Sequence, residues 1–134
     1  MIAGTLPAQV NDHPIQLHVL QNEGVVAYSW PSGDVFLSAG LVNIATDDEI
    51  AAAIAHELGH LLNDAPGRDA LSLRGGGCSL EIEANADVTG AELLAKTRHS
   101  ATSLETLLLK VRAASNSVEC RSEISERIKR LTAH

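Results

Sequence analysis

The spacing of apolar residues changes along the chain, and it separates a strand-forming first third from a helical remainder. Residues 15–20 alternate between apolar and polar side chains, which is typical of a half-buried strand. Turn residues then separate two further short apolar runs, residues 25–30 and 35–38. The pattern predicts a small three-stranded sheet, mixed or antiparallel.

From residue 39 onwards the spacing is helical. Residues 39–45 predict a short helix, and a long helix that is apolar almost all round follows through residue 62. Thr46 and Glu49 form a capping-box pattern at its start. Residues 79–94, 103–114 and 122–131 predict three more helices. The expected fold is therefore α+β, with the sheet packed on the long helix.

Length and charge restrict the class of protein. The 134 residues fit one domain spanning 1–134. The net charge of −7 argues against nucleic acid or an anionic membrane as a partner. No apolar run reaches the roughly 20 residues of a membrane span, and the first residues lack a secretory signal. The simplest expectation is a soluble, cytoplasmic domain, on its own or within a larger protein.

The long helix carries the motif His56-Glu57-x-x-His60. Residues four apart lie on the same helical face, so the two imidazoles can converge on one metal ion. Glu57 is adjacent to a ligand but points elsewhere, which suits a general base acting on water. The motif predicts a zinc hydrolase with one zinc ion per chain.

A catalytic zinc ion takes three protein ligands as a rule, so a third ligand is expected later in the chain. Glu83 is the favoured candidate, with Glu81 as its competitor. Small residues around them allow this helix to approach the metal helix closely. Asp87, one turn after Glu83, is placed to hold a histidine ligand through its second ring nitrogen.

These motifs resemble the gluzincin metallopeptidases of the HtpX, Oma and CAAX-prenyl-protease type. The similar segments are residues 27–41 (AYSWPSGDVFLSAGL), 48–60 (DEIAAAIAHELGH), 83–87 (EANAD, for the family's E-x-x-A-D) and 126–131 (ERIKRL, for its E-R-I-x-x-L). The resemblance implies a zincin-like fold and a zinc-dependent endopeptidase, with Glu83 as third ligand and Asp87 supporting a ligand.

The resemblance also implies where substrate and oxyanion lie. It places an extended peptide substrate along the strand at residues 35–37, as an added strand. The family carries a histidine that steadies the oxyanion, and Arg121 occupies the corresponding position here. Arg121 either donates to the oxyanion or is a surface residue beside Cys120.

Two alternatives to a minimal zinc endopeptidase stay open. One is a regulatory peptidase of the ImmA/IrrE type, since residues 82–85 (IEAN) and 91–94 (AELL) are similar to its third-ligand helix. The other is a latent or structural metal site in a binding module, for which Cys78 is a candidate fourth ligand. The two cysteines, Cys78 and Cys120, are too few for a disulfide scaffold, and a reducing compartment favours free thiols.

Overall fold

The computed structural model describes residues 6–10, 12–63, 80–100 and 102–133. Within these ranges the chain forms an α+β structure whose sheets precede its helices. The strands are β1 (Gln9–Val10), β2 (His13–Pro14), β3 (Gln16–Leu20), β4 (Ala27–Ser29) and β5 (Asp34–Ser38). The helices are α1 (Ala39–Ile44), α2 (Asp47–Asn63), α3 (Leu80–Ala95), α4 (Ser103–Ala114) and α5 (Val118–Thr132).

The main sheet has three strands in the order β3-β5-β4, and it is mixed, one of the two arrangements expected. β3 runs parallel to β5, and β4 runs antiparallel to it. β5 is therefore the central strand, with its backbone paired on both sides. This corrects the expectation that residues 35–37 form the edge that receives substrate. The short β1–β2 pair was not predicted, because strands of two residues leave no periodic pattern.

The turn between β4 and β5 follows from two residues with restricted or unusual backbone angles. Pro31 occupies the second position of the turn, and the Gly33 N–H donates to the carbonyl of Trp30 over 2.9 Å. Gly33 has φ of 99°, a region that side chains disfavour. The turn brings β5 back alongside β4, which lies at one edge of the sheet.

A single serine fixes the junction between the sheet and the first helix. Ser38 Oγ accepts the N–H of Leu41 at 3.1 Å, which caps α1. The same oxygen accepts the N–H of Val26 at 3.0 Å and donates to the carbonyl of Gly24 at 2.6 Å. The chain leading into β4 is thereby tied to the end of β5.

The helix α2 begins with the predicted capping box. The Glu49 N–H donates to Thr46 Oγ1 at 3.1 Å, and Glu49 Oε1 accepts the Thr46 N–H at 2.9 Å. Most of α2 is buried, since the sheet, α3 and α4 all pack against it. No helix among the described residues is long and apolar enough to cross a membrane.

The two longest helices, α2 and α3, cross in backbone contact because glycines face each other. A methyl group on Gly59 would lie 2.5 Å from the carbonyl oxygen of Ala86. A methyl group on Gly90 would lie 2.9 Å from the Cα of His56. The expected close approach of the third helix-forming segment is thus confirmed, and the crossing lies directly against a residue of the H-E-x-x-H motif.

Candidate metal centre

The two histidines and the glutamate of the motif form a compact buried group on α2. One ligand-type atom from each of His56, Glu57 and His60 lies within 4.8 Å of the other two. The two imidazole rings are 4.7 Å apart between centroids and nearly perpendicular, at 88°. The helical spacing therefore places both rings over one point, as predicted from the sequence.

Glu83 reaches the same point from α3. Its Oε1 lies 3.3 Å from His56 Nε2, and its Oε2 lies 2.9 Å from His60 Nε2. The competitor Glu81 points outward, where it pairs with Arg130 and is 73% exposed. The structure therefore brings Glu83, and not Glu81, to the two histidines. Because Glu83 meets the Nε2 atom of both rings, it is a better third ligand than Glu57.

Asp87 contacts the ring nitrogen of His56 that faces away from Glu83 and His60, as the sequence suggested. Its Oδ1 lies 2.9 Å from His56 Nδ1, so Nε2 is the nitrogen that faces Glu83 and His60. A carboxylate on the far nitrogen fixes both the ring orientation and the tautomer of a ligating histidine. Asp87 is 1% exposed, so this contact is shielded from water.

Arg127 on α5 completes this chain of contacts, a role that was not expected from the sequence. Its Nε donates to Asp87 Oδ2 at 2.8 Å, and its Nη2 donates to Asp87 Oδ1 at 2.9 Å. The pairing is bidentate, the geometry that a guanidinium supports best with a carboxylate. A signal was present, since Arg127 interrupts the apolar stripe formed by Ile124, Ile128 and Leu131.

The carboxylates of this group favour positive charge next to the two imidazoles. Burial raises the pKa of Glu83, but hydrogen bonds from His56 and His60 outweigh burial and hold the pKa well below its usual range. Burial lowers the pKa of His56, but Asp87 and Glu83 outweigh it and raise the pKa to about 10. Buried carboxylates thus surround the imidazoles and favour any cation that lies between them.

Glu57 differs from Glu83 and Asp87 in its surroundings. Burial raises the pKa of Glu57, and the charges of His56 and His60 oppose this only in part. Its side chain borders a cavity of about 300 Å³, as do the side chains of His56, Glu83 and Arg127. A buried carboxylate with raised proton affinity beside open space is suited to accept and return a proton.

The rest of that cavity is apolar. The residues that complete its wall come from the 25–27 segment and from helices α1, α2, α4 and α5: Val25, Val26, Ala27, Leu41, Ala53, Leu104, Leu107, Leu108, Val111 and Ile124. These described residues are all aliphatic, and three of them belong to the chain that enters and forms β4, one of the two edge strands. The cavity therefore extends from His56, Glu57 and Glu83 to the β4 edge of the sheet.

The structure does not bring Arg121 into the site. Its Nη1 donates to the carbonyl of Ser115 at 2.8 Å, where α4 ends and α5 is about to begin. Arg121 is also not among the described residues that border the cavity. The cation that α5 supplies to the site is Arg127, six residues later, so the proposed oxyanion role of Arg121 has no geometric support.

The cysteines also depart from expectation. Cys120 is disulfide-bonded, whereas the sequence analysis favoured free thiols. Cys78 lies outside the described residues. Because the sequence holds one other cysteine, a disulfide at Cys120 argues against the hypothesis that Cys78 is a thiolate ligand to the metal.

The donor set fits a divalent metal ion. Two Nε2 atoms and one carboxylate converge from two helices, while the opposite nitrogen of His56 is already occupied by Asp87. Imidazole and carboxylate ligands of this number are those of catalytic zinc sites. Glu57 lies within the group and borders the open side.

Comparison with known proteins leads to the same class of protein. A stretch of 60 residues is 33% identical to Metalloprotease LoiP of Escherichia coli (strain K12), covering 45% of this chain and 24% of that protein. The chain thus spans about a quarter of the length of this curated relative. The profile of Peptidase family M48 matches residues 5–75, more than half of the chain and including the main sheet and α2. The chain therefore belongs to Peptidase family M48, a family of metallopeptidases.

Proposed function

We propose that the protein is a zinc-dependent endopeptidase of the gluzincin kind, with His56, His60 and Glu83 as metal ligands and a zincin-like fold around them. The observation that carries this proposal is the convergence of the Glu83 carboxylate, from a separate helix, on the Nε2 atoms of both motif histidines. An acidic helix face without a functional role would be expected to point to solvent, because burying a carboxylate and two imidazoles together without a partner costs free energy.

Bound zinc would supply a Lewis acid that polarises a peptide carbonyl and lowers the pKa of water. Glu57 accepts the proton of the attacking water and passes it to the departing amine nitrogen. Asp87 keeps the Nε2 atom of His56 directed at the metal position, and Arg127 keeps Asp87 in place through two hydrogen bonds. These three residues therefore fix the geometry in which Glu57 works.

Substrate is proposed to lie along β4, the edge strand that borders the cavity, and not along the central strand β5. Hydrogen bonds from Trp30 N–H to Asp34 and from Ser38 N–H to Val26 show which β4 groups face β5. By alternation, the backbone groups of Ala27 and Ser29 face away from the sheet. An extended peptide can pair with them as an added strand, with one apolar side chain entering the aliphatic cavity.

The central test is cleavage of a quenched peptide library by zinc-loaded protein, beside a Glu57→Gln variant with matched zinc content. Cleavage by the wild type and not by the variant supports Glu57 as the base and an endopeptidase. If both proteins hold one zinc ion and neither cleaves, the site is latent or structural, and the endopeptidase proposal fails. If neither protein binds zinc, the assignment of the ligands fails as well.

The position of substrate has its own test. Ala27→Pro removes one outward N–H from β4 without removing a hydrogen bond to β5, and proline is tolerated on edge strands. We expect KM to rise while the melting temperature changes little. Ala27→Val is the matched control, since it adds bulk and retains the N–H. A rise in KM for the valine variant alone would contradict pairing along β4.

A further inference from the structure

Ser29 in β4 places a hydroxyl group inside the protein without a hydrogen-bond partner. Its side chain is 0% exposed, and its Oγ makes no hydrogen bond with any residue that the structure describes. Ser38, which is equally buried in the same sheet, makes three hydrogen bonds through its Oγ. An unpaired buried hydroxyl destabilises a fold, and alanine would fill the same strand position without this cost. Ser29 therefore requires an explanation other than stability.

The position of Ser29 in the sheet directs its side chain towards α2. Ser29 pairs with Val35, which is completely buried, and the paired residues share one face of the sheet. Ala27, two residues earlier and on the same face, borders the cavity together with Glu57. The Ser29 hydroxyl thus comes from the strand that we propose receives substrate, and it points towards the helix that carries the motif.

Glu57 is the group that this hydroxyl meets. The Ser29 hydroxyl interacts with the Glu57 side chain at the place where β4 packs against α2. The Ser29 Oγ is therefore near Glu57, but the two groups are not aligned as a full hydrogen bond.

We propose that Ser29 is a positioning residue for Glu57, donating its Oγ–H to one carboxylate oxygen so that the other faces the attacking water. This inference rests on the proposed function. The Ser29 hydroxyl keeps its own proton throughout, while the free Glu57 oxygen takes the proton from water and returns it to the leaving amine. Ser29 thereby selects one orientation of a carboxylate that otherwise borders open space.

The test compares Ser29→Ala with Ser29→Thr, which restores the hydroxyl. We expect Ser29→Ala to lower kcat about tenfold, the effect of losing one hydrogen bond to a charged group. KM and zinc affinity should stay unchanged and the melting temperature should not decrease, because the alanine removes no satisfied contact. Ser29→Thr should recover most of kcat. An unchanged kcat in Ser29→Ala, or an equal loss in Ser29→Thr and Ser29→Ala, would overturn the proposal.

Two further measurements separate this role from a structural one and from failure of the proposed function. In the Glu57→Gln background, Ser29→Ala should leave the residual rate unchanged; a further tenfold loss contradicts action through Glu57. In zinc-loaded protein labelled with ¹³C-glutamate, Ser29→Ala should shift the Glu57 carboxyl resonance and Ser29→Thr should not. This resonance needs no turnover, so it decides the contact even if the wild type cleaves nothing, and no shift in Ser29→Ala overturns it.

Discussion

Helix α2 carries two buried glutamates about two turns apart, and they have opposite properties. Glu49 is 3% exposed and Glu57 is 4% exposed. Glu49 receives the Thr46 N–H at 2.9 Å and the Lys110 ammonium at 2.6 Å. Burial raises its pKa, but hydrogen bonds from Lys110, Thr106 and the Thr46 backbone outweigh burial and lower the pKa to about 2.

Glu57 is about as little exposed, but the described residues offer it too few partners to compensate for burial. Its pKa is raised by burial, with only partial opposition from the neighbouring histidines. The comparison shows that burial alone does not decide what a carboxylate does. A carboxylate whose oxygens are satisfied holds a fold together, as Glu49 joins α2 to α4. A carboxylate left under-satisfied beside a cavity is available for proton transfer.

The largest expected effect comes from removing the charge of Glu57. Glu57→Gln should lower kcat by about 10²–10⁴-fold, the range for loss of a general base. The free energy of unfolding should stay constant or increase, because a poorly compensated buried charge is removed. Steady-state kinetics and urea unfolding measure the two quantities. A loss of stability in Glu57→Gln as large as in Glu49→Gln would remove the distinction between the two glutamates.

The next effect concerns Asp87, a third buried carboxylate, whose pKa is held low by Arg127 and His56 despite burial. Arg127→Gln should weaken zinc binding about 10–100-fold, since it loosens the group that orients His56. Competition with a chromophoric chelator gives the affinity. Arg121→Gln is the matched control on the same helix and should leave zinc affinity unchanged. The reverse result would restore Arg121 as the functional cation.

A smaller effect is expected from the structural glutamate. Glu49→Gln should lower the free energy of unfolding by about 1–3 kcal/mol, since it weakens the capping box and leaves Lys110 without its ionic partner. The kcat of the folded protein should remain that of the wild type. Lys110→Met, which leaves the Glu49 charge unpaired, should cost at least as much. A Glu49→Gln variant that is fully stable but inactive would contradict the structural role.

The smallest effect is the pH dependence that Glu49 contributes. Its pKa lies below the unfolded value of 4.5, so its stabilisation is fully present above pH 4.5 and is lost as the pH falls towards 2. Between pH 5 and 3 the wild type should therefore lose more unfolding free energy than Glu49→Gln. Lys110 is partly exposed, so salt should reduce the difference. Parallel curves for the two proteins would contradict the contribution of Glu49.

The helical parts of this comparison were accessible from the sequence. The capping box of Thr46 and Glu49 and the i, i+4 pair of His56 and His60 are local patterns, and the structure contains both as predicted. The spacing of Glu83 and Asp87 also predicted that they share one face of a single helix, and in the structure both contact the motif histidines. Such predictions succeed because the helix itself fixes the relative positions of the side chains.

The misplaced features all depend on how separate elements pack. Strand order cannot be read from alternation, so residues 35–37 were assigned to the edge although β5 is central. Arg121 and Arg127 lie on one helix, and only the rotation of that helix against α3 decides which one reaches Asp87. The unpaired hydroxyl of Ser29 becomes visible only when β4 lies on α2.

The helix α3 follows the stretch that identifies the family, and this order has a practical consequence. The matched residues 5–75 contain both histidines and Glu57, whereas Glu83, Asp87 and Arg127 all lie beyond them. A fragment that ended after residue 75 would retain the whole recognisable signature and lose every carboxylate that meets the histidines from another helix. A chain can therefore match the family signature without having a complete site. Surveys of short homologues should test separately whether the residues equivalent to Glu83, Asp87 and Arg127 are present.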